Sequence, residues 1–262
     1  MLLRRDERGH LAIGQPAHAW ISGQLARAWG NDRFPAPAPH EEVCLSAEQH
    51  DIGMAAWDLD PARNPGTGLP YSFTEMPLAV HMELWRAGPR RLVRQSRYAA
   101  LLVSMHGTRL YERRDLSPLS AADAQQVRHF LEDQRRFRRR LLSSLRADPA
   151  TRASADHDLV ARNSQLLWTW DSLSLAICLD WAPFTLHDVP SAGGPADIRL
   201  SAGARPHELR LDPWPLTPAT LVVRCEGQRL ENRVDTDDAL ARALVVAPWE
   251  ALAFTLVPPQ GQ

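Results

Sequence analysis

The chain has 262 residues, is 44% hydrophobic and carries a formal net charge of −1. That length can bury a sizeable core and accommodate one large domain with a small one. The charge balance offers no basic excess to neutralise nucleic-acid phosphates or an anionic membrane, and all thirty of the Lys+Arg residues are arginine, so any anion clamp must be a guanidinium.

The first residues read as a hairpin, with Arg8-Gly9 turning between Leu2-Leu3 and residues 10–13. From Pro16 the apolar period becomes helical, through Ala17, Trp20, Ile21, Leu25, Ala28 and Trp29, and it stops near Gly30-Asn31. A second helix is expected over residues 41–57, followed by an irregular loop over residues 58–77, which contain four prolines. Helices follow over residues 78–86, 97–110, 120–146 and 159–179, the third of them solvent-facing with one packed edge. Pro183, Pro190 and the Ser191-Ala192-Gly193-Gly194-Pro195 run then break the pattern. Beyond them a period of two marks short strands at Leu209 to Leu211, Leu221 to Val223, Ala243 to Val246 and Leu252 to Leu256. The expected fold is mainly α, with residues 1–182 a helical domain and residues 183–262 a small β-rich subdomain.

Six potential metal ligands stand out: His18, His50, Asp51, His81, His106 and Asp171. The five helix positions that carry them are ones the apolar pattern assigns to the core. His18 shares a face with Ile21 and Leu25, His50 with Val43, Ala47 and Met54, and His81 with Leu78 and Leu84. His106 follows Leu102 and Val103 by a turn, and Asp171 lies among Leu167, Trp168 and Leu175. An imidazole or carboxylate buried without a partner costs several kcal/mol, so such groups must be paired or hold an ion. The other histidines form a contrast: His129 sits on a polar face, and His10, His40, His157, His187 and His207 fall in loops or near turns. On a continuous helix His50 and Asp51 would project about 100° apart, letting the imidazole bind one metal while the carboxylate bridges to a second. A thiolate-free set suits Fe or Mn, with Zn or Co as alternatives. The three cysteines, Cys44, Cys178 and Cys225, are scattered and odd in number, so they form neither a disulfide framework nor a zinc site. With no signal-peptide core and no run near the ~20 apolar residues of a membrane span, the expected location is the cytoplasm.

The stretch from Ala47 to Gly53, with the spacing His…His-Asp…Asp, resembles the signature of the HD-domain superfamily of metal-dependent phosphohydrolases over residues 1–182. More narrowly, Gln15-Pro16-Ala17-His18-Ala19, Trp57-Asp58, residues 101–107 and residues 171–175 resemble the uncharacterised bacterial family called domain of unknown function 3891. The superfamily resemblance implies a helical bundle, with His18, His50 and Asp171 on a first metal, His81 and His106 on a second, and Asp51 between them. Ile52 and Met54 depart from the narrower family, where more polar or aromatic residues are expected.

The first functional expectation is a hydrolase acting on a small anionic substrate, a phosphate ester or anhydride, in which two metals polarise phosphoryl oxygens and generate hydroxide. Asp51 serves there as bridge, and Asp58 and Glu83 are weaker candidates for proton shuttles, with a helix-cap or surface carboxylate as the alternative for either. Arg97 and Arg109, with Arg162, are candidate anion clamps, although most arginines are solvated surface charges. A mixed-valence di-iron oxygenase of the myo-inositol oxygenase kind has the same ligand set, and a metal-stabilised binding module without turnover is a third reading. Trp20, Trp57, Trp85, Trp168 and Trp170 crowd the ligand positions and read as core, and Trp214 and Trp249 as core or docked surface.

Overall fold

The computed structural model describes residues 1–112, 114–230 and 233–259. Leu2–Asp6 (β1) and Gly9–Ile13 (β2) form the expected hairpin, and Gly9 takes a φ of 113° that favours glycine at the turn. Helix α1, Gln15–Ala28, starts with Pro in its first turn, where the missing N–H costs no helical hydrogen bond. Next come α2 (His40–Glu48), a 3₁₀ turn (Ile52–Met54), α3 (Ala55–Leu59), α4 (Leu78–Leu92) and α5 (Arg97–Glu112). Helix α6, Ala121–Ala147, is capped by the Ser120 hydroxyl, and α7, His157–Cys178, by the Asp156 carboxylate. The remaining elements are β3 (Phe184–Ser191), β4 (Gly194–Ala202), β5 (Glu208–Asp212), β6 (Leu221–Leu230), α8 (Asp237–Val246) and β7 (Trp249–Val257). No helix among the described residues is long and apolar enough to cross a membrane.

The expectation of a mainly α bundle of the HD kind with an appended β-rich piece is overturned. About half of the chain is helical and 21% is strand, and the strands form one curled, mixed seven-stranded sheet drawn from both ends of the sequence. Its order is β1-β2-β6-β7-β5-β4-β3, antiparallel except for the parallel β5–β7 pair. The N-terminal hairpin joins the sheet through β2 and β6, Ala12 opposite Gln228, a pairing across more than two hundred residues that no local pattern announces.

Three local expectations also change. Residues 183–195 were expected to break the pattern and instead enter the β3–β4 hairpin. Pro190 and Pro195 face each other where β3 is the sheet edge and β5, pairing only with Arg199 to Ala202, does not reach, so neither proline removes a ladder bond that the sheet needs. Ala243 to Val246, expected as strand, end helix α8, which the Thr236 hydroxyl caps and Asp237 and Asp238 favour at its positive end. The helix expected over residues 41–57 stops at Glu48. His50 and Asp51 occupy the turn before the 3₁₀ segment, so they are not held at a helical angle.

One face of the sheet is covered by α1, packed on β6, and α7, packed on β3; α2 and α5 lie beyond them, and α4 and α6 flank α5. The main core runs through all these layers, from Leu11 and Ile13 through Ile21, Leu25 and Trp170 to Val223 and Phe254. Residues on both sides of position 182 share it.

Two glycines let α4 close on the site. A Cβ at Gly53 would lie 2.3 Å from the Leu84 carbonyl oxygen, and one at Gly107 would lie 2.4 Å from the Trp85 ring. The first neighbour is backbone and cannot yield cheaply. Gly53→Ala is therefore expected to cost about 1–3 kcal/mol, a fall in Tm of roughly 2–12 °C for a chain of this size. Gly193→Ala, where a Cβ meets nothing within 4 Å, is the control that leaves Tm unchanged in a thermal melt.

Candidate metal centre

Five of the six ligand candidates converge. His18 comes from α1, His50 and Asp51 from the turn after α2, His106 from α5 and Asp171 from α7, all of them buried and with Asp171 the most accessible at 8%. Their ligand atoms fall into two overlapping groups within 4.8 Å, His18 with His50 and Asp51, and His50 with His106 and Asp171. His18 Nε2 lies 2.7 Å from Asp51 Oδ2, His50 Nε2 lies 3.1 Å from Asp171 Oδ1 and 3.7 Å from Asp51 Oδ2, and His106 Nε2 lies 3.4 Å from Asp171 Oδ2. Metal–ligand bonds of about 2.0–2.2 Å place neighbouring donors roughly 3–3.5 Å apart. The set has the spacing of a coordination shell.

The ring orientations fit the same reading. His50 Nδ1–H donates to the Ala47 carbonyl at 2.8 Å, which turns the Nε2 lone pair into the cluster. That nitrogen is buried without a hydrogen-bond partner, 3.1 Å from Asp171 Oδ1, a contact that is favourable only with a proton or a metal ion between the two atoms. Ser174 donates its hydroxyl proton to the Asp171 carbonyl and so accepts from His18 Nδ1–H at 2.9 Å. Ser22 donates to Ser174 in turn. The His18 Nε2 lone pair is thereby aimed at the Asp51 carboxylate. Two acceptors at that distance require a positive centre between them, a proton or a metal ion.

The ionisation of the metal-free cluster shows how it balances its charge. Burial pushes the His50 imidazolium down, but the Asp51 and Asp171 carboxylates outweigh it and raise His50 to about 9. Burial would raise the Asp171 carboxyl, yet His106 and His50 hold it well below the usual carboxylate range, and His50 and His18 lower Asp51 in the same way.

His81 is not brought in. Its Nδ1 contacts the Tyr111 hydroxyl and its Nε2 accepts from Trp85 Nε1–H at 2.9 Å, so both nitrogens are engaged. Burial lowers its pKa to about 4, keeping the ring neutral. The Trp85 ring packs on His106, with centroids 5.5 Å apart, so His81 props the cluster through its neighbour. Asp58 has a structural role in place of the expected proton shuttle. Its oxygens accept from the Gln15 backbone N–H at the start of α1 and pair with the Met1 amino group.

Arg97 is not a clamp either. It donates to Ser144 and pairs with Asp148 at 2.7 Å, tying the start of α5 to the end of α6. Arg162 donates to the Pro35 carbonyl and Glu83 pairs with Arg86. Arg109 does approach the centre. It donates to Gln165 and stacks on Trp168 at 4.3 Å, and Trp168 packs against His106 at 5.5 Å. Ser174 and Tyr111 are positioning residues that the reading of the sequence did not single out. For Ser174 the signal was available, because position 174 lies one helical turn after Asp171 and returns to its face.

A fold of helices layered on one curled sheet, with a buried His/Asp cluster able to hold a metal, is the class of protein defined here. The model of the Protein of unknown function (DUF3891) family matches residues 1–232, and the chain belongs to that family. No curated protein and no solved structure matches the chain.

Two outcomes follow from this geometry. Ser174→Ala is expected to weaken metal binding about 10–100-fold, the range for a lost partner of a ligating histidine, while His81→Ala retains the metal; metal content after dialysis against a graded chelator checks both. The second concerns pH. A proton bound to His50 with a raised folded pKa stabilises the metal-free protein fully below about 6.5, and that stabilisation is lost as pH rises through about 9. Metal requires the deprotonated ring, so its affinity rises over the same window. The difference in Tm between metal-loaded and metal-free protein is expected to widen from pH 6.5 to 9.

Proposed function

We propose that this protein is a metal-dependent hydrolase acting on a phosphate ester or anhydride. The observation that carries the reading is the buried His50 Nε2 without a partner, facing Asp171 and Asp51 inside a shell with the donor spacing of a coordinated ion. His18, His50, Asp51 and Asp171 would hold the principal ion. His50 offers one free lone pair, so its two overlapping ligand groups cannot both be complete metal sites at once. His106 with the second oxygen of Asp171 marks a second position, which lacks a third ligand while His81 is held by Tyr111 and Trp85. This favours hydrolysis at a principal metal over the di-iron oxygenase, which needs both ions.

When bound, the metal supplies a Lewis acid for the phosphoryl oxygen and lowers the pKa of a bound water. The protein residues do the rest. Asp171, the most accessible of the ligand candidates, would accept a hydrogen bond from a bound water and orient it for attack. Trp168 and Ser172 lie beside it on α7 and line a cavity of about 300 Å³ together with Arg109 and the β3 residues Thr185 and His187. Arg109 brings a guanidinium to this mouth, where it would orient an anionic group and oppose charge developing on the phosphoryl oxygens.

The test is reconstitution of chelated protein with Mn, Fe, Co or Zn and assay against aryl phosphate mono- and diesters and a nucleoside triphosphate. Turnover in at least one combination, abolished by Asp51→Ala, is expected. Arg109→Met should raise KM at least tenfold with metal content unchanged. Metal-loaded protein that hydrolyses none of these substrates defeats the proposal.

A further inference from the structure

A second concavity, of about 580 Å³, shares no residue with the metal centre and lies where α1 and α3 face α8 across β2 and β6. Its rim exposes large apolar side chains: Trp20 at 46%, Leu59 at 87%, Val245 at 84% and Trp249 at 67%. Trp249 was expected in core or docked surface, and it faces solvent at the start of β7. Scattered exposed apolar residues are ordinary, but a contiguous set around a concavity is a mark of an interaction surface. Aromatic anchors of this kind dominate protein interfaces.

The charge on the groove is one-sided. In a chain with thirty arginines and ten histidines, no Arg or His among the described residues lines it, whereas Asp58, Asp60 and Glu226 do. Asp58 is already paired with the Met1 amino group and the Gln15 amide. Asp60 and Glu226 are exposed and have no hydrogen-bond or ion-pair partner for their side chains among the described residues.

We propose that this groove docks a segment of a partner protein, an apolar stretch flanked by Arg or Lys side chains. A small cation would fill the concavity but leave Leu59 and Val245 wet at the rim, while a chain segment covers both. An anionic membrane is repelled by the carboxylates. A twofold pairing of two copies would set this patch against itself, placing Asp60 and Glu226 near their own counterparts. A cationic segment gains at both ends, with apolar residues against the indoles and guanidinium or ammonium groups against the carboxylates and over the ring faces.

The test uses the full-length, metal-loaded protein and a labelled amphipathic Leu/Lys peptide, with its Leu/Glu counterpart as control, read by fluorescence anisotropy. The Leu/Lys peptide is expected to bind and the Leu/Glu peptide not. Trp249→Ala, and separately the Asp60→Arg, Glu226→Arg pair, should each weaken binding at least tenfold. All these positions are exposed, and unchanged circular dichroism and metal content verify the fold of each variant. Failure of the Leu/Lys peptide to bind, equal binding of both peptides, or indifference of the variants overturns the proposal. So does a wild-type dimer in sedimentation that Trp249→Ala dissociates, which would assign the groove to a second copy.

Discussion

Two carboxylates, Asp51 and Asp171, are buried among helices with no arginine partner among the described residues, in a chain that has thirty. Among the described residues the cationic partners that face them are imidazoles, and the two carboxylates also repel each other. In a low-dielectric interior such an arrangement persists only if positive charge enters it, and protons on histidine or a metal ion are the two available sources. The layers of the fold are arranged around this requirement. α1 and α7, packed on the sheet, supply His18 and Asp171, while α5 and the turn after α2 supply the rest from the opposite side.

The scaffold sets the ligand geometry through short backbone devices. Ending α2 at Glu48 frees the Ala47 carbonyl from its helical partner, and that carbonyl orients His50. Gly53 then allows the 3₁₀ turn to sit against α4, and Gly107 allows α5 to sit against Trp85. Ser22 and Ser174 connect α1 to α7 through hydroxyl groups and fix the His18 tautomer in the same contact that joins the helices. The geometry of the candidate metal site and the packing of the helices therefore depend on the same atoms.

The two concavities differ in chemistry. The cavity lined by Arg109, Trp168 and Ser172 contains a guanidinium stacked on an indole, a combination that suits an anion. The groove between α1, α3 and α8 is apolar and bears carboxylates with no guanidinium. Formal neutrality of the whole chain conceals this separation, because net charge is a sum and recognition depends on where the charges stand.

The sequence by itself picked out five buried polar ligand candidates, though not other buried polar side chains such as Gln134, Asn163 and Thr169. His18, His50, His106 and Asp171 fall on apolar stripes, and a stripe records burial where the helix continues, because each helical face repeats every three to four residues; His50 and Asp51 are buried from a turn instead. The same rule placed His81 in the interior, where it is half-buried, but could not tell a ligand from a ring held by Tyr111 and Trp85. It also located most helices and the strands β5 to β7. Only the tertiary structure decided that the N-terminal hairpin completes the C-terminal sheet, that Asp58 and Arg97 tie elements together, and that Asp60 and Glu226 flank a groove of tryptophans. These are contacts between positions far apart in the chain, and local periodicity has no term for the partner across the gap.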